Sequence, residues 1–330
     1  MRSVTLGILG FLTLLTLSAQ AVEIHHGEWK QGSVLRGSAT PGTRLELDGQ
    51  PVRVSDDGRF VIGLGRDAGS PAILKEFPPE GDPKTLEFEV VLRDYQIQRI
   101  EGVPQRTVTP DPEQLARARE EAALARAARE KDLPRTDFAQ QFQWPLVGIV
   151  TGVYGSQRIY NGEPRSPHYG VDIASPTGTP VLAPASGVVT LVHENMFFSG
   201  GTLIVDHGHG LSSTFIHLSK ILVKEGDEVK KAQPIAEVGA TGRATGPHLD
   251  WRMNWFDRRV DPTSLVGPMP KPAPEPPAAP QPPAVDPNAV DLSAEQNAED
   301  NDRESAPAAT DEPDEEVGEG EEPSSPADAP

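Results

Sequence analysis

Five residues between positions 168 and 250 have the side-chain types that hydrolytic metal sites use. In sequence order they are His168, Asp172, His217, His248 and Asp250. His248 and Asp250 are two positions apart in a stretch that reads as a β-strand, so both side chains should point to one face of a sheet. Zinc accepts histidine nitrogen and aspartate oxygen, and a hydrolytic zinc site keeps one position open for water. Together the five residues are a candidate metal site.

Other interpretations of these residues stay open at this point. A histidine and an aspartate four positions apart are common, and a single histidine in a strand is more often structural than catalytic. Asp250 could instead pair with Arg243 or Arg252, in which case no metal would bind. His207 and His209 lie in the sequence DHGHG, which is typical of a hairpin turn with glycines at positive φ.

Aromatic residues next to the candidate site also allow two readings. Trp251, Trp255 and Phe256 could contact a glycan or a peptide, although aromatic strand residues more often fill a core. Tyr154 and Tyr160, or Asn161, are candidates for lining a groove beside the site.

The composition narrows the choice of metal ligands and partners. The chain of 330 residues has no cysteine, so a metal must be held by nitrogen and oxygen ligands and no disulfide supports the fold. The formal net charge is −19, but residues 267–330 hold 17 acidic and two basic residues, a net charge of −15. The remainder is close to balanced and shows no basic patch, so a nucleic-acid partner is not expected.

The elements that must position these residues are mainly β-strands. Residues 22–105 alternate apolar and polar positions between turn signals such as Asp48-Gly49 and Asp57-Gly58, which predicts a β-sandwich of immunoglobulin-like type. Residues 106–137 are rich in Ala, Arg, Glu and Leu and predict a helical linker with one helix of roughly 20 residues. Residues 138–266 predict a second, glycine-rich antiparallel β domain.

The two ends of the chain differ from these domains. Arg2, an apolar run over 4–17 and the Ala19-Gln20-Ala21 sequence predict a signal peptide of residues 1–21 that is removed on export. The run is shorter than the ~20 residues needed to cross a bilayer, so no stable membrane insertion is expected after cleavage. Residues 267–330 are rich in proline and acidic residues with few large apolar ones, which predicts a disordered tail.

Residues 145–262 resemble the LytM/lysostaphin-type zinc metallopeptidases, which cut peptide cross-links in bacterial cell walls. The resemblance rests on an ordered series of motifs. The series comprises H-x-x-x-D at His168 and Asp172, GTPVLAPASGVV, a His-Gly turn at His207-Gly208, HLS at His217, V-x-x-G-x-x-V over 223–229 and TGxxTGPHL ending at His248-Leu249.

The resemblance implies a role for each of the five residues. His168, Asp172 and Asp250 would hold one zinc ion, although the family usually has a histidine where Asp250 stands. His248 would be the general base, and His217 would stabilise the oxyanion or assist it. The set with Asp250 carries one more negative charge than usual, which should lower the Lewis acidity of the metal and would also admit manganese.

The expected function is that of an exported, zinc-dependent endopeptidase acting on peptidoglycan peptide stems, in the periplasm. The alternative is a catalytically weak or inactive LytM-like regulator that binds a cell-wall amidase or peptidoglycan. His217 and His248 argue for the enzyme, and Asp250 argues for the regulator. A third arrangement is a competent enzyme whose groove is covered by the first β domain.

Overall fold

The computed structural model describes residues 22–100 and 112–271. The expected signal peptide and nearly all of the acidic tail lie outside the described residues, so those two predictions stay untested. The described chain is mostly β with a single α-helix, which confirms the mainly β prediction. None of its helices combines the length and apolar character needed to cross a membrane.

The first region forms two antiparallel sheets, one with the strand order β1-β2-β5 and one with the order β4-β3-β6-β7. The expected Asp48-Gly49 turn joins β3 to β4, and both residues have positive φ, as a tight hairpin requires. The strands are β1 (Glu23–His26), β2 (Val34–Ser38), β3 (Arg44–Leu47), β4 (Gln50–Val52), β5 (Arg59–Gly63), β6 (Ala72–Phe77), β7 (Lys84–Phe88) and β8 (Ile97–Ile100).

Helix α1 (Pro112–Arg129) is the single helix expected between residues 106 and 137. It begins with proline, which suits the first helical position because that N–H has no partner within a helix. Only Glu121, Ala128 and Arg129 are buried, and Ala128 packs with Leu191 and other apolar residues of the second region. Arg117 also donates to the Asn195 carbonyl and Glu121 accepts from the Phe197 N–H, so the helix lies on the second region along much of its length.

The second region is built on an eight-stranded sheet with the order β18-β14-β15-β16-β20-β12-β9, in which β21 also pairs with β20. Its strands are β9 (Ile149–Gly152), β10 (Gln157–Tyr160), β11 (Glu163–Pro164), β12 (Gly170–Ala174), β13 (Pro180–Leu182), β14 (Gly187–Met196), β15 (Gly200–Asp206), β16 (Leu211–Leu218), β17 (Lys220–Ile221), β18 (Glu228–Val229), β19 (Pro234–Glu237), β20 (His248–Trp255) and β21 (Arg258–Val260).

Smaller sheets and short helical turns complete the second region. Strands β13, β19 and β17 form a separate three-stranded sheet. Strand β8 of the first region pairs in parallel with β10, and β10 pairs with β11. Two short 3-10 helices cover Asp137–Ala139 and Pro262–Leu265.

Strand β20 separates the core from the candidate site. Its odd-numbered residues Leu249, Trp251, Met253 and Trp255 are fully buried in the hydrophobic core, which confirms the core reading of both tryptophans. A Cβ added at Gly63 of the first region would lie 2.5 Å from Cβ of Trp255, so the two regions pack in direct contact. The division into domains at 22–105 and 138–266 stays a prediction, because buried residues of both regions share one hydrophobic cluster.

Candidate metal centre

Two adjacent strands bring the predicted ligands together. In the antiparallel pair of β12 and β20, Asp172 lies opposite Asp250 and Ala174 lies opposite His248. Paired residues share one face of a sheet, so both carboxylates point away from the core. His168 comes just before β12. One ligand atom from each of His168, Asp172 and Asp250 lies within 4.8 Å of the others.

Unpaired polar atoms make this cluster suitable for a cation. His168 Nε2 lies 3.2 Å from Asp172 Oδ1, yet both atoms are buried without a hydrogen-bond partner. Buried polar atoms are rarely left unpaired, because desolvation without a partner costs free energy. The separation is also close to the roughly 3.3 Å expected between tetrahedral ligands of one zinc ion. The donors fit a divalent metal.

Two glycines leave room for the carboxylates. A Cβ at Gly152 would lie 2.2 Å from Asp172 Oδ2, and a Cβ at Gly170 would lie 2.1 Å from Asp250 Oδ1. Any other residue at either position would push a carboxylate out of the cluster. Glycine at these two strand positions is therefore a requirement of the site, since a strand interior otherwise disfavours it.

Asp250 has a second partner in Arg252. Its carboxylate is 2% exposed, and it accepts hydrogen bonds from Arg252 Nε at 3.0 Å to both oxygens and from Nη2 to Oδ2 at 2.5 Å. Burial by itself would raise the pKa of Asp250, but the Arg252 guanidinium lowers it overall. Asp250 is thus ionised. The ion pair is the one that the metal-free interpretation of the sequence anticipated, while Arg243 lies over Phe198 instead.

The ion pair changes the charge of the cluster without occupying every lone pair. With Arg252 included, the group of His168, Asp172 and Asp250 carries a net charge of −1, the same as a site of two histidines and one aspartate. Asp250 Oδ1 accepts one hydrogen bond, and a carboxylate oxygen has a second lone pair that can bind a metal. A metal held by these residues would therefore meet the same net charge as in a site of two histidines and one aspartate, and Arg252 would offset the lower Lewis acidity expected from Asp250.

The two remaining histidines are held in the same way beside this cluster. Nδ1 of His217 lies 2.8 Å from the Thr241 carbonyl oxygen, and Nδ1 of His248 lies 2.8 Å from that of Gly246. A carbonyl only accepts, so Nδ1 carries the hydrogen and Nε2 is the acceptor of each neutral ring. The rings are 4.8 Å apart, and His248 Nε2 lies 3.9 Å from Asp172 Oδ1.

His217 is set in a constrained environment. Burial lowers the pKa of its ring, and the hydrogen bond to Thr241 opposes this only in part. Its φ is 65°, in the left-handed region that histidine adopts infrequently, and its N–H donates to the Ser199 carbonyl. Strained backbone of this kind clusters at functional sites. The ring is consequently a neutral acceptor at pH 7, suited to binding or deprotonating a water.

The structure also identifies residues that the sequence left unassigned. Arg252 was considered only as an alternative partner of Asp250, although its position two residues along the same strand already placed both on one face. Tyr154, a candidate for lining the groove, is buried instead, and its hydroxyl donates to the Arg259 carbonyl. Arg259 carried no recognisable signal, because its closeness to the site depends on the pairing of β20 with β21.

A β-sheet that carries a His-Asp-Asp cluster with two flanking histidines is the arrangement expected of a metallopeptidase domain. Comparison with known proteins agrees. The profile of peptidase family M23 matches residues 166–262. A solved structure of a protein from Pseudomonas aeruginosa assigned to peptidase M23 is 31% identical, with a TM-score of 0.56, and the alignment covers 73% of this chain and 96% of that one. The chain belongs to peptidase family M23, which confirms the resemblance found in the sequence.

Curated relatives match over a shorter range. The peptidoglycan DD-endopeptidase ShyB of Vibrio cholerae is 41% identical over 105 residues, which are 32% of this chain and 24% of the relative. The DD-carboxypeptidase/endopeptidase Mpg of Neisseria meningitidis is 38% identical over 104 residues, 32% of this chain and 24% of the relative. The matched segment thus spans about a quarter of the length of these relatives.

Proposed function

We propose that this protein is a metal-dependent endopeptidase that hydrolyses D,D-peptide bonds in the cross-links of bacterial peptidoglycan, outside the cytoplasm. The observation that carries the proposal is the unpaired His168 Nε2 and Asp172 Oδ1 next to two histidines that each present Nε2 as an acceptor. Relatives in the same family are named as peptidoglycan DD-endopeptidases, which supports the substrate class.

In this proposal His168, Asp172 and Asp250 hold one zinc ion. When bound, zinc supplies Lewis-acid activation of the scissile carbonyl and of a water molecule. His248 accepts the proton of the attacking water at Nε2, while its Nδ1–H bond to the Gly246 carbonyl fixes the ring. His217 orients the water as a second acceptor. With the hydrogen on Nδ1, His217 would assist His248 in this way rather than donate to an oxyanion.

The second candidate function is a regulator that uses the same groove for binding without hydrolysis. The bonds from Arg252 to both oxygens of Asp250 are the observation that favours it, because an arginine held against this carboxylate would compete with a metal for it. The regulator would bind peptidoglycan or a cell-wall amidase. The two functions differ in whether the metal site fills.

Release of soluble muropeptides from purified sacculi tests the proposal. We expect release by the protein beginning at residue 22, loss of release with a chelator and recovery when zinc is added. Manganese added in place of zinc tests the choice of ion. The same assay is run on a truncated form that begins at Phe138. If both proteins are folded and neither releases muropeptides with either metal, the regulator is favoured. Release by the truncated form alone would mean that the first region covers the groove.

A further inference from the structure

Three arginines lie on the sheet face that carries the candidate metal centre. Arg252 is on β20, and Arg259 lies opposite Asn254 in the pairing of β20 with β21. Arg252 and Asn254 are two residues apart on one strand, so Arg252, Asn254 and Arg259 share a face. Arg129, at the end of helix α1, is the third. We call Arg129, Arg252 and Arg259 the arginine cluster.

The cluster adjoins the metal centre on the side of His168. The Arg259 guanidinium lies 5.6 Å from the centroid of the Tyr169 ring, and Tyr169 directly follows His168. Arg252 contacts Asp250 itself. The arginine cluster therefore lies next to two of the three predicted ligands: Arg252 contacts Asp250, and Arg259 contacts Tyr169, the residue after His168.

Helix α1 places Arg129 over the same face. Ala128 packs on Ile204, which pairs with Thr214, and Thr214 pairs with Arg252. Ile204, Thr214 and Arg252 are therefore neighbours on three adjacent strands, and the end of helix α1 lies over the Ile204 end of this row. Arg129 is 9% exposed, and its Nε is buried without a hydrogen-bond partner.

The positive charge of the cluster is only partly balanced. Among the residues that the structure describes, Arg252 has a carboxylate partner in Asp250, whereas Arg129 and Arg259 form no ion pair. Burial, followed by repulsion from Arg129 and Arg252, lowers the pKa of Arg259 to about 9, so it still carries its charge at neutral pH. Most of the Arg259 side chain is enclosed by protein, although the residue keeps some solvent exposure.

Uncharged polar atoms near the cluster are unpaired as well. Thr214 Oγ1 and Asn254 Oδ1 are buried without hydrogen-bond partners in the described structure. An enclosed guanidinium without an anion is costly, since a buried charge requires a partner or hydrogen bonds. Arg129 and Arg259 would be stabilised by an anion with several acceptor atoms, and the Thr214 hydroxyl could donate to it as well, whereas Asn254 Oδ1 is itself an acceptor and would not contribute.

We propose that the arginine cluster is a subsite that binds a carboxylate of the peptide substrate, next to the scissile amide. A planar guanidinium recognises a carboxylate by two parallel hydrogen bonds. Arg252 is already bonded to Asp250, so Arg129 and Arg259 are the guanidiniums that would select the charged carboxylate over a neutral amide. The proposal rests on the proposed function, because a D,D-peptide can carry a free carboxylate on the residue after the scissile bond. That carboxylate would lie within reach of the cluster when the amide lies at the metal.

Calorimetric binding of two peptides to the metal-free protein tests the subsite without requiring hydrolysis. The probes are N-acetyl-L-Lys-D-Ala-D-Ala and the same peptide with a C-terminal carboxamide. We expect the carboxylate form to bind about tenfold more tightly, and Arg259→Gln to abolish that preference. Arg258→Gln is the matched control, because Arg258 lies opposite Trp255 on the other face and 3.8 Å from Asp48. It should keep the preference.

Equal binding of the two peptides to the unchanged protein would overturn the subsite, and so would a preference that survives in Arg259→Gln. If Arg259→Gln does not fold, Arg259→Lys keeps the charge and loses the planar fork, and a weakened preference is then expected. Failure of the proposed function gives a different result from failure of the subsite. If the protein prefers the carboxylate peptide but releases no muropeptides, the subsite exists and the proposed activity does not. If it hydrolyses both peptides with equal KM, the activity exists and the subsite does not.

Discussion

Two groups of histidines lie on neighbouring parts of one sheet and behave differently. His207, in the hairpin between β15 and β16, is fully buried, with Nδ1 2.7 Å from the Ser186 carbonyl oxygen and Nε2 2.9 Å from Ser213 Oγ. Both of its ring nitrogens are used within the protein. His209 in the same hairpin packs against the ring of Phe138 at 4.6 Å, and its Nδ1 is buried without a hydrogen-bond partner.

His217 and His248 each have only Nδ1 bonded to a carbonyl, and Nε2 is left for another partner. The described residues contain one cluster of metal-ligand type, and neither hairpin histidine belongs to it. The difference teaches that the residue type does not distinguish a structural histidine from a candidate catalytic one. The partner of the second ring nitrogen separates His207 from His217 and His248. His209 also has an unpartnered ring nitrogen, and only its position outside the ligand cluster separates it from the site histidines.

The largest expected effect is on the rate of hydrolysis, which should depend on His217 and His248 and not on His207. His217→Ala or His248→Ala should lower the rate roughly 10²–10⁴-fold, the usual loss of a general acid or base, while metal content and melting temperature stay unchanged. His207→Ala should do the reverse. It removes the donor to the Ser186 carbonyl and the acceptor of the Ser213 hydroxyl, which keeps only the 3.4 Å bond from Trp251 Nε1. The loss should cost about 1–3 kcal/mol of stability with little loss of rate per folded molecule. Native rates in both site variants would refute the proposed mechanism.

Loss of a metal ligand should be the next largest effect. His168→Ala should weaken zinc binding by more than the roughly 10–100-fold that loss of an outer-shell partner costs. Competition with a chromophoric chelator measures the affinity. His25→Ala, at an exposed histidine of the first region, is the control and should bind zinc as the unchanged protein does. An unchanged affinity in His168→Ala would remove His168 from the ligand set.

The pairing of Asp250 with Arg252 predicts a coupled effect of about tenfold. Asp250→His leaves Arg252 as an unpaired charge beside the metal and should weaken zinc binding, whereas Asp250→His with Arg252→Gln restores the net charge of −1 and should recover it. The absorption spectrum of the Co²⁺-substituted protein reports the change of ligand independently of activity. Additive effects of the two substitutions would mean that Arg252 does not compensate Asp250.

The smallest expected effect concerns stability and pH. Burial lowers the pKa of His207 to about 4, whereas an unfolded histidine titrates near 6.5. Between these values the unfolded state binds more protons, so the free energy of unfolding falls as the pH falls through that window. His207→Asn should make this slope shallower by at most about 1.4 kcal/mol per pH unit.

Asp206 is the control within that experiment. Burial raises the pKa of its carboxyl to about 7, so its effect has the opposite sign, and it is present in both proteins. The difference between the two urea-unfolding profiles therefore isolates His207. Identical slopes would show that the ring of His207 titrates normally in the folded protein.

Much of the architecture was predictable because it depends on local patterns. Strand alternation, the Asp48-Gly49 turn and the charged helical segment indicated a mainly β chain with one helix, and the structure confirms both. The order of strands in the eight-stranded sheet was not predictable, since pairing between distant segments has no local signature. The parallel contact of β8 with β10 is one such pairing.

The residues of the candidate site were likewise only partly predictable from the sequence. The ordered motifs identified His168, Asp172, His217, His248 and Asp250 together, and the structure brings all five to one place. Their roles remain proposals. Arg129 and Arg259 could not be identified from the sequence, because they belong to separate elements that meet the site only through the docking of α1 and the pairing of β21 with β20.

The sequence by itself determined the residue types, their alternation along each strand and the family to which they belong. The sequence offered Arg243 and Arg252 as partners of Asp250, and only the tertiary structure decided between them, because Arg252 bonds to Asp250 while Arg243 lies over Phe198. A carboxylate in water needs no cationic partner, whereas a buried carboxylate is stable only beside a cation. Asp250 is paired with Arg252 and also belongs to the predicted metal site.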